Sequence, residues 1–214
     1  MNDVSNPSAK VEAASPYHHG NLKETLLEAA EAELSSHGIE QLSLRAIAKR
    51  AGVSHAAPAH HFGDVNGMLT ALAARGFERF IAAQQARQKV AAPDPSSQLT
   101  AAGLGYIDFA LANPALFRLM FSSRRPDFEN PSLYGPSKLA FDMLVEGVSA
   151  TRGKMPPSEN ELIANVASVW SMVHGLADLL TSERLKSLQA LKRDEREAML
   201  IGIIQRAMLP RPKS

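Results

Sequence analysis

Residues 43–62, SLRAIAKRAGVSHAAPAHHF, constrain the fold more than any other stretch. Ser43 is a good helix N-cap, because its hydroxyl can accept from an orphan backbone N–H at a helix start. Leu44, Ile47 and Ala48 then recur at helical spacing and give one apolar face. Gly52 follows Ala51 and can adopt the left-handed backbone that ends a helix. Val53 is an apolar plug in the turn, and Ser54 is placed to cap a second helix starting at His55. Two short helices joined by a glycine-containing turn form the helix-turn-helix pattern. In that motif the second helix enters the DNA major groove and its first residues meet base edges. The competing structural account is a helical hairpin in an all-helical core, with its charges solvated.

Charge supports the DNA reading locally. The segment carries Arg45, Lys49 and Arg50 with His55, His60 and His61, and holds no acid. Contact with phosphate oxygens needs such a patch. The wider region is dipolar. Residues 1–62 hold five Lys/Arg and seven Asp/Glu, with the acids mostly on the helix before the motif. Six of the seven histidines also fall there. DNA affinity is therefore expected to rise as histidines charge near pH ~6.5.

Leu22 to Leu72 resembles the N-terminal domain of TetR-type (tetracycline-repressor-like) transcriptional regulators, on LLEAAEAELSSHGIEQLSLRAIAKRAGVS followed by HHF and a new helix. Downstream, VWSMVHGLADLL, residues 169–180, resembles the Trp-x-x-x-His-Gly motif of the WHG-type C-terminal domain found in a subset of that family. FALANPALFRLMF, from Phe109, also resembles the family's ligand-domain sequences. The resemblance implies a dimeric transcriptional regulator, most often a repressor. It also implies a small molecule that binds the C-terminal domain, shifts the helix after the motif and separates the paired reading helices. Two positions depart from the family pattern. Ala59 stands where many members carry a phosphate-contacting Tyr, and Val65 where many carry Lys or Arg. The alternative function is accordingly a helical small-molecule binding or interaction protein with a weakened DNA reader.

The expected architecture is all-α. Residues 1–16 read as a disordered tail. Residues 17–64 read as a three-helix helix-turn-helix domain, and residues 65–214 as a larger helical ligand-binding and dimerisation domain. Tyr17 to Asn21 reads either as an arm reaching DNA or as a cap segment ending in Asn21. Helices are expected over about 22–37, 65–89, 98–112, 115–121, 137–152, 158–181 and 193–208, besides the motif pair. Residues 93–97 and 122–135, both proline-containing, are expected to be loops.

Three sets of candidate site residues follow. The DNA-facing set is Ser43, Arg45, Lys49, Ser54, His55, Ala56, Ala57, Ala59, His60 and His61. The alanines suit thymine methyls, and the imidazoles can donate to guanine or phosphate. The pocket set is Tyr106, Phe109, Phe117, Met120, Phe121, Phe141, Trp170 and His174, with Met143 and Met172. Such walls suit an apolar ligand, although each residue alone also reads as ordinary core. Trp170 and His174 are four apart and share a helix side. The dimer set is two apolar stripes, Val166, Val169, Val173, Leu176 and Leu180 on one helix and Met199, Ile203, Ile204 and Met208 on the last. Pairing as a four-helix bundle would place two reading helices on a near-palindromic, double-stranded operator, half-sites about 34 Å apart.

Composition narrows the function class. With no cysteine, a disulfide framework and thiolate metal sites are excluded. His60 and His61 are adjacent, hence about 100° apart on a helix, and poorly placed to share an ion. No phosphate-cradling loop, dinucleotide fingerprint or nucleophile elbow occurs. No enzyme activity, metal or cofactor is expected. No secretory signal is visible and no apolar run approaches a transmembrane length, so a cytoplasmic protein fits.

Overall fold

The structure is a computed structural model that describes residues 22–152 and 158–208. Among these residues there are ten helices and no strand. They are α1 (Leu22–His37), α2 (Leu44–Ala51), α3 (Ala57–Phe62), α4 (Val65–Val90), α5 (Pro95–Ala112), α6 (Pro114–Ser122), α7 (Pro131–Ala150), α8 (Glu159–Thr181), α9 (Lys186–Gln189) and α10 (Arg193–Met208). The expected tail, the Tyr17–Asn21 segment and the Met208 side chain lie outside the described residues.

Local chemistry sets most boundaries. Ser43 accepts from Ala46 N at 3.2 Å and opens α2. Gly52 ends α2 at φ 68°, in the left-handed region that favours glycine. Asp64 accepts from Gly67 N at 2.8 Å and starts α4. Ser158 and Glu161 form a reciprocal capping box at the start of α8.

Proline positions account for the largest boundary differences. The sequence places the start of α3 at His55, with Ser54 as its cap. Instead α3 begins at Ala57, Ala56 holds the cap position, and no side chain caps it. Pro58 lies in the first turn, where its missing N–H removes no helical bond. The same logic moves the start of α5 back to Pro95, capped by Asp94, and of α7 back to Pro131, capped by Asn130. Pro136 is taken inside α7. The short α9 was not expected. It is held by buried Leu188 and by Gln189 Nε2 donating to the Leu180 carbonyl at 2.7 Å.

The long α4 is the spine. It packs on α1 and α3 of the N-terminal unit and on α5, α6 and α7 of the larger body. Leu26, Leu34, Ile47, Met68, Leu69 and Leu72 close the small N-terminal core, which runs without a break into the C-terminal one. At the far end Arg87 bonds Asp108 of α5 at 2.6 Å and Glu197 of α10 at 2.7 Å. Contrary to the sequence expectation, α8 is long and apolar enough to cross a membrane by length and composition. One face of it is packed inside the bundle, as a core helix requires.

Candidate nucleic-acid interface and ligand cavity

The α2–turn–α3 unit presents its DNA-facing set outward. Ser43, Arg45, Lys49, Ser54, His55, Ala56, Ala59, His60 and His61 are all exposed, and Ala57 is half-buried. Pro58 turns inward and anchors α3. Ser43, Arg45, Lys49 and His55 line one shallow depression. Residues from both sides of the turn thus converge on a single basic surface, a geometry suited to a phosphate.

Arg50 does not belong to that surface. Its Nε donates to Glu33 of α1 at 2.6 Å, and His37 also contacts Glu33, at 3.2 Å. The guanidinium beside it holds the Glu33 carboxyl below the usual range. The acids of α1 are likewise engaged. Arg75 pairs with Glu24 at 2.7 Å and Arg79 with Glu31 at 2.6 Å, both from α4. Three acids that make this region look unfavourable for DNA in sequence are therefore matched by arginines.

The second feature is a cavity of about 590 Å³ among α4, α5, α6, α7, α8 and α10. Of the pocket set, Tyr106, Met120, Phe121, Phe141, Trp170, Met143 and Met172 line it. Phe109, Phe117 and His174 do not, which corrects the sequence reading. Phe109 and Phe117 are buried core residues. His174 lies behind the wall, sharing a 2.7 Å hydrogen bond with the Tyr106 hydroxyl. Burial pushes the Tyr106 phenol up and the His174 imidazole down, so both are neutral near pH 7.

The sequence misses the α4 contribution to this wall. Phe77, Phe80, Gln84 and Gln88 all line the cavity. Their spacing of three, four and four puts them on one helix face. The available signal was two glutamines continuing an apolar stripe. Gly105 of α5 allows that face to come close, since a Cβ there would lie 2.5 Å from Gln84 Cα.

The dimer set needs the larger correction. Val166, Val169, Val173, Leu176, Leu180 and Ile204 are all buried within their own chain. Their side chains pack within the chain, and Val169, Val173 and Ile204 also line the cavity. Ile203 is half-buried, and only Met199 is freely exposed. The opposite face of α8 is the open one, with Ala164, Ala167, Ser168, Ser171 and Leu179 exposed along it. Among the described residues no group of three or more His, Asp or Glu side chains is placed to hold a metal.

Comparison with known proteins follows this division of the chain. A family model described as bacterial regulatory proteins, tetR family, matches residues 26–72. A second, tetracyclin repressor-like C-terminal domain, matches residues 99–202. A protein of unknown function from Rhodococcus sp. RHA1 shares 31% identity and superposes with a TM-score of 0.73, over 90% of this chain and 98% of that one. The chain belongs to the TetR family of transcriptional regulators. The HTH-type transcriptional regulator BetI of Yersinia pestis (strain Pestoides F) is 28% identical over 182 residues, 84% of this chain and 87% of that protein. A TetR-like transcriptional regulator from Rhodococcus sp. RHA1 shares the fold at 18% identity, with a TM-score of 0.64 over 90% and 98% of the two chains. As a TetR-family member the chain is a DNA-binding regulator and not an enzyme.

In this TetR-family chain one loop ties cavity to reader. Residues 123–130 join α6 to α7, and their Ser123 and Phe128 line the cavity. Between them Arg125 reaches the DNA-binding unit. Its Nη1 donates to the Ile39 carbonyl, just ahead of α2, and its Nε to Asn66 Oδ1, just after α3, each at 3.2 Å. Asp127 N donates to Thr70 Oγ1 of α4 at 3.0 Å. The loop therefore grips the helix-turn-helix on both flanks.

Proposed function

We propose that this regulator is a homodimeric repressor that acts in the cytoplasm on a near-palindromic operator and leaves it when a small apolar molecule fills the cavity. The observation that carries this reading is the shared spine. Phe77, Phe80 and Gln84 of α4 wall the cavity, while the start of the same helix abuts α3 and receives Arg125. A ligand that moves this wall acts on both ends of one rigid rod. In this proposal α3 enters the groove with Ala57, Ala59 and His60, and Ala56 of the preceding turn meets the same groove. Arg45, Lys49, His55, His61 and the Ser43 and Ser54 hydroxyls approach the flanking phosphates. The boundary at residue 64 divides reader from effector domain.

The homodimer rests on the exposed α8 face. Its small side chains, with Gly175, permit close helix approach, and the buried face is already satisfied within the chain. The missing phosphate contacts at Ala59 and Val65 predict modest affinity and a shallow salt dependence. Selection from a random duplex pool, followed by sedimentation of the complex, tests the reading. It predicts a two-fold-symmetric consensus bound by an even number of chains. Failure to enrich any sequence would favour the weakened-reader alternative.

A further inference from the structure

We propose that the cavity takes an electrically neutral, mainly aromatic molecule bearing a hydrogen-bond-accepting oxygen, and that the Gln84 carboxamide donates to that oxygen. This inference rests on reading the cavity as the effector site.

The first ground is charge. Among the described residues the cavity wall contains no Asp, Glu, Lys, Arg or His. An ion entering it would leave water without meeting a counter-charge, a cost that a neutral molecule avoids. The second ground is donor bookkeeping. Gln98 Nε2 already donates to the Gln88 and Ala92 carbonyls at 3.1 and 2.9 Å. Gln88 Nε2 reaches the Gln98 carbonyl at 3.5 Å. The Ser137 hydroxyl donates to the Tyr134 carbonyl, and the Tyr106 hydroxyl is engaged with His174. Gln84 is different. The residue is among those lining the cavity and is 9% exposed, and its buried Nε2 has no hydrogen-bond partner among the described residues.

A buried, unpartnered amide donor is costly to keep unless something supplies the acceptor. The remaining surface, including Phe80, Phe121 and Trp170, offers ring faces and edges. A carbonyl, ether or hydroxyl oxygen on a ring system answers both demands. The aromatic faces would also attract a quaternary ammonium. The ammonium group itself, however, accepts no hydrogen bond, so a cation without an oxygen elsewhere leaves Gln84 unpaired, and one with an oxygen still brings an uncompensated charge into the cavity.

Equilibrium dialysis of the full chain against four probes on one scaffold tests this. The probes are benzophenone, diphenylmethane, 4-benzoylbenzoate and (4-benzoylbenzyl)trimethylammonium. Benzophenone should bind more tightly than either charged ketone. Gln84→Leu and Gln84→Met should weaken benzophenone about ten-fold, the loss of one hydrogen bond, and leave diphenylmethane unchanged. Unchanged diphenylmethane binding also shows that the variants keep the cavity. Equal effects on benzophenone and diphenylmethane would overturn the role of Gln84. Tighter binding of either ion would overturn the neutral class while leaving the effector cavity standing. Failure of all four probes to bind would count against the effector reading itself.

Discussion

Arg45, Lys49 and Arg50 lie within six residues of one another, yet only the first two are available to DNA. Arg50 is held by Glu33, a residue seventeen positions earlier. Arg45→Ala and Lys49→Ala should each weaken binding to all sequences alike and lower the salt slope by about one, as measured by anisotropy over a salt series. Arg50→Ala should leave that slope unchanged and lower the unfolding midpoint instead. The pair also gives stability a pH dependence. Because the folded Glu33 value is lowered, its contribution is fully present above the ordinary carboxyl range and is lost as pH falls through the lowered value. Thermal melts should show less acid sensitivity in Glu33→Gln than in the parent chain. The Ser43 cap was legible in sequence because its partner lies three residues away. The Arg50 contact was not, since it depends on how α1 crosses α2.

At the level of elements, prolines explain both the successes and the misses. Pro95 and Pro131 fall in segments that read as loops, but each, like Pro58, occupies the first turn of a helix. There the absent N–H would have had no helical partner. For α3 the shift turns His55 and Ala56 into turn residues, so the reading surface comprises a turn and a single short helix. The loop between α6 and α7 was legible as a loop but not as a connector, because Arg125 meets residues 86 and 59 positions away. Arg125→Ala should leave benzophenone binding to the cavity intact and reduce the ligand's effect on operator affinity. Full ligand response in that variant, measured as operator affinity with and without ligand, would show that the signal runs along α4 alone.

For the whole molecule, the division into a small DNA-binding unit and a larger helical body was legible from two motifs about 120 residues apart. Which apolar stripe faces a second copy was not. Hydrophobic spacing finds a buried face but cannot say whether its own chain or a partner covers it. Here the strongly apolar face of α8 serves the core, and the small-residue face remains open. Ala167→Glu or Ser171→Arg, both at exposed positions, should give folded monomers by sedimentation velocity and lower operator affinity. Dimers that persist in both variants would place the interface elsewhere.

The central claim is that α3 is a surface rod that slots into duplex DNA. The most direct test is Ala59→Asp, which puts one anionic side chain on the exposed face of α3 and disturbs no buried contact. Operator affinity should fall by roughly a hundred-fold or more, since a carboxylate would be forced against phosphates and base edges. The far-UV spectrum and unfolding midpoint should stay close to those of the parent chain. Undiminished affinity in a folded Ala59→Asp variant would mean that α3 does not enter the groove.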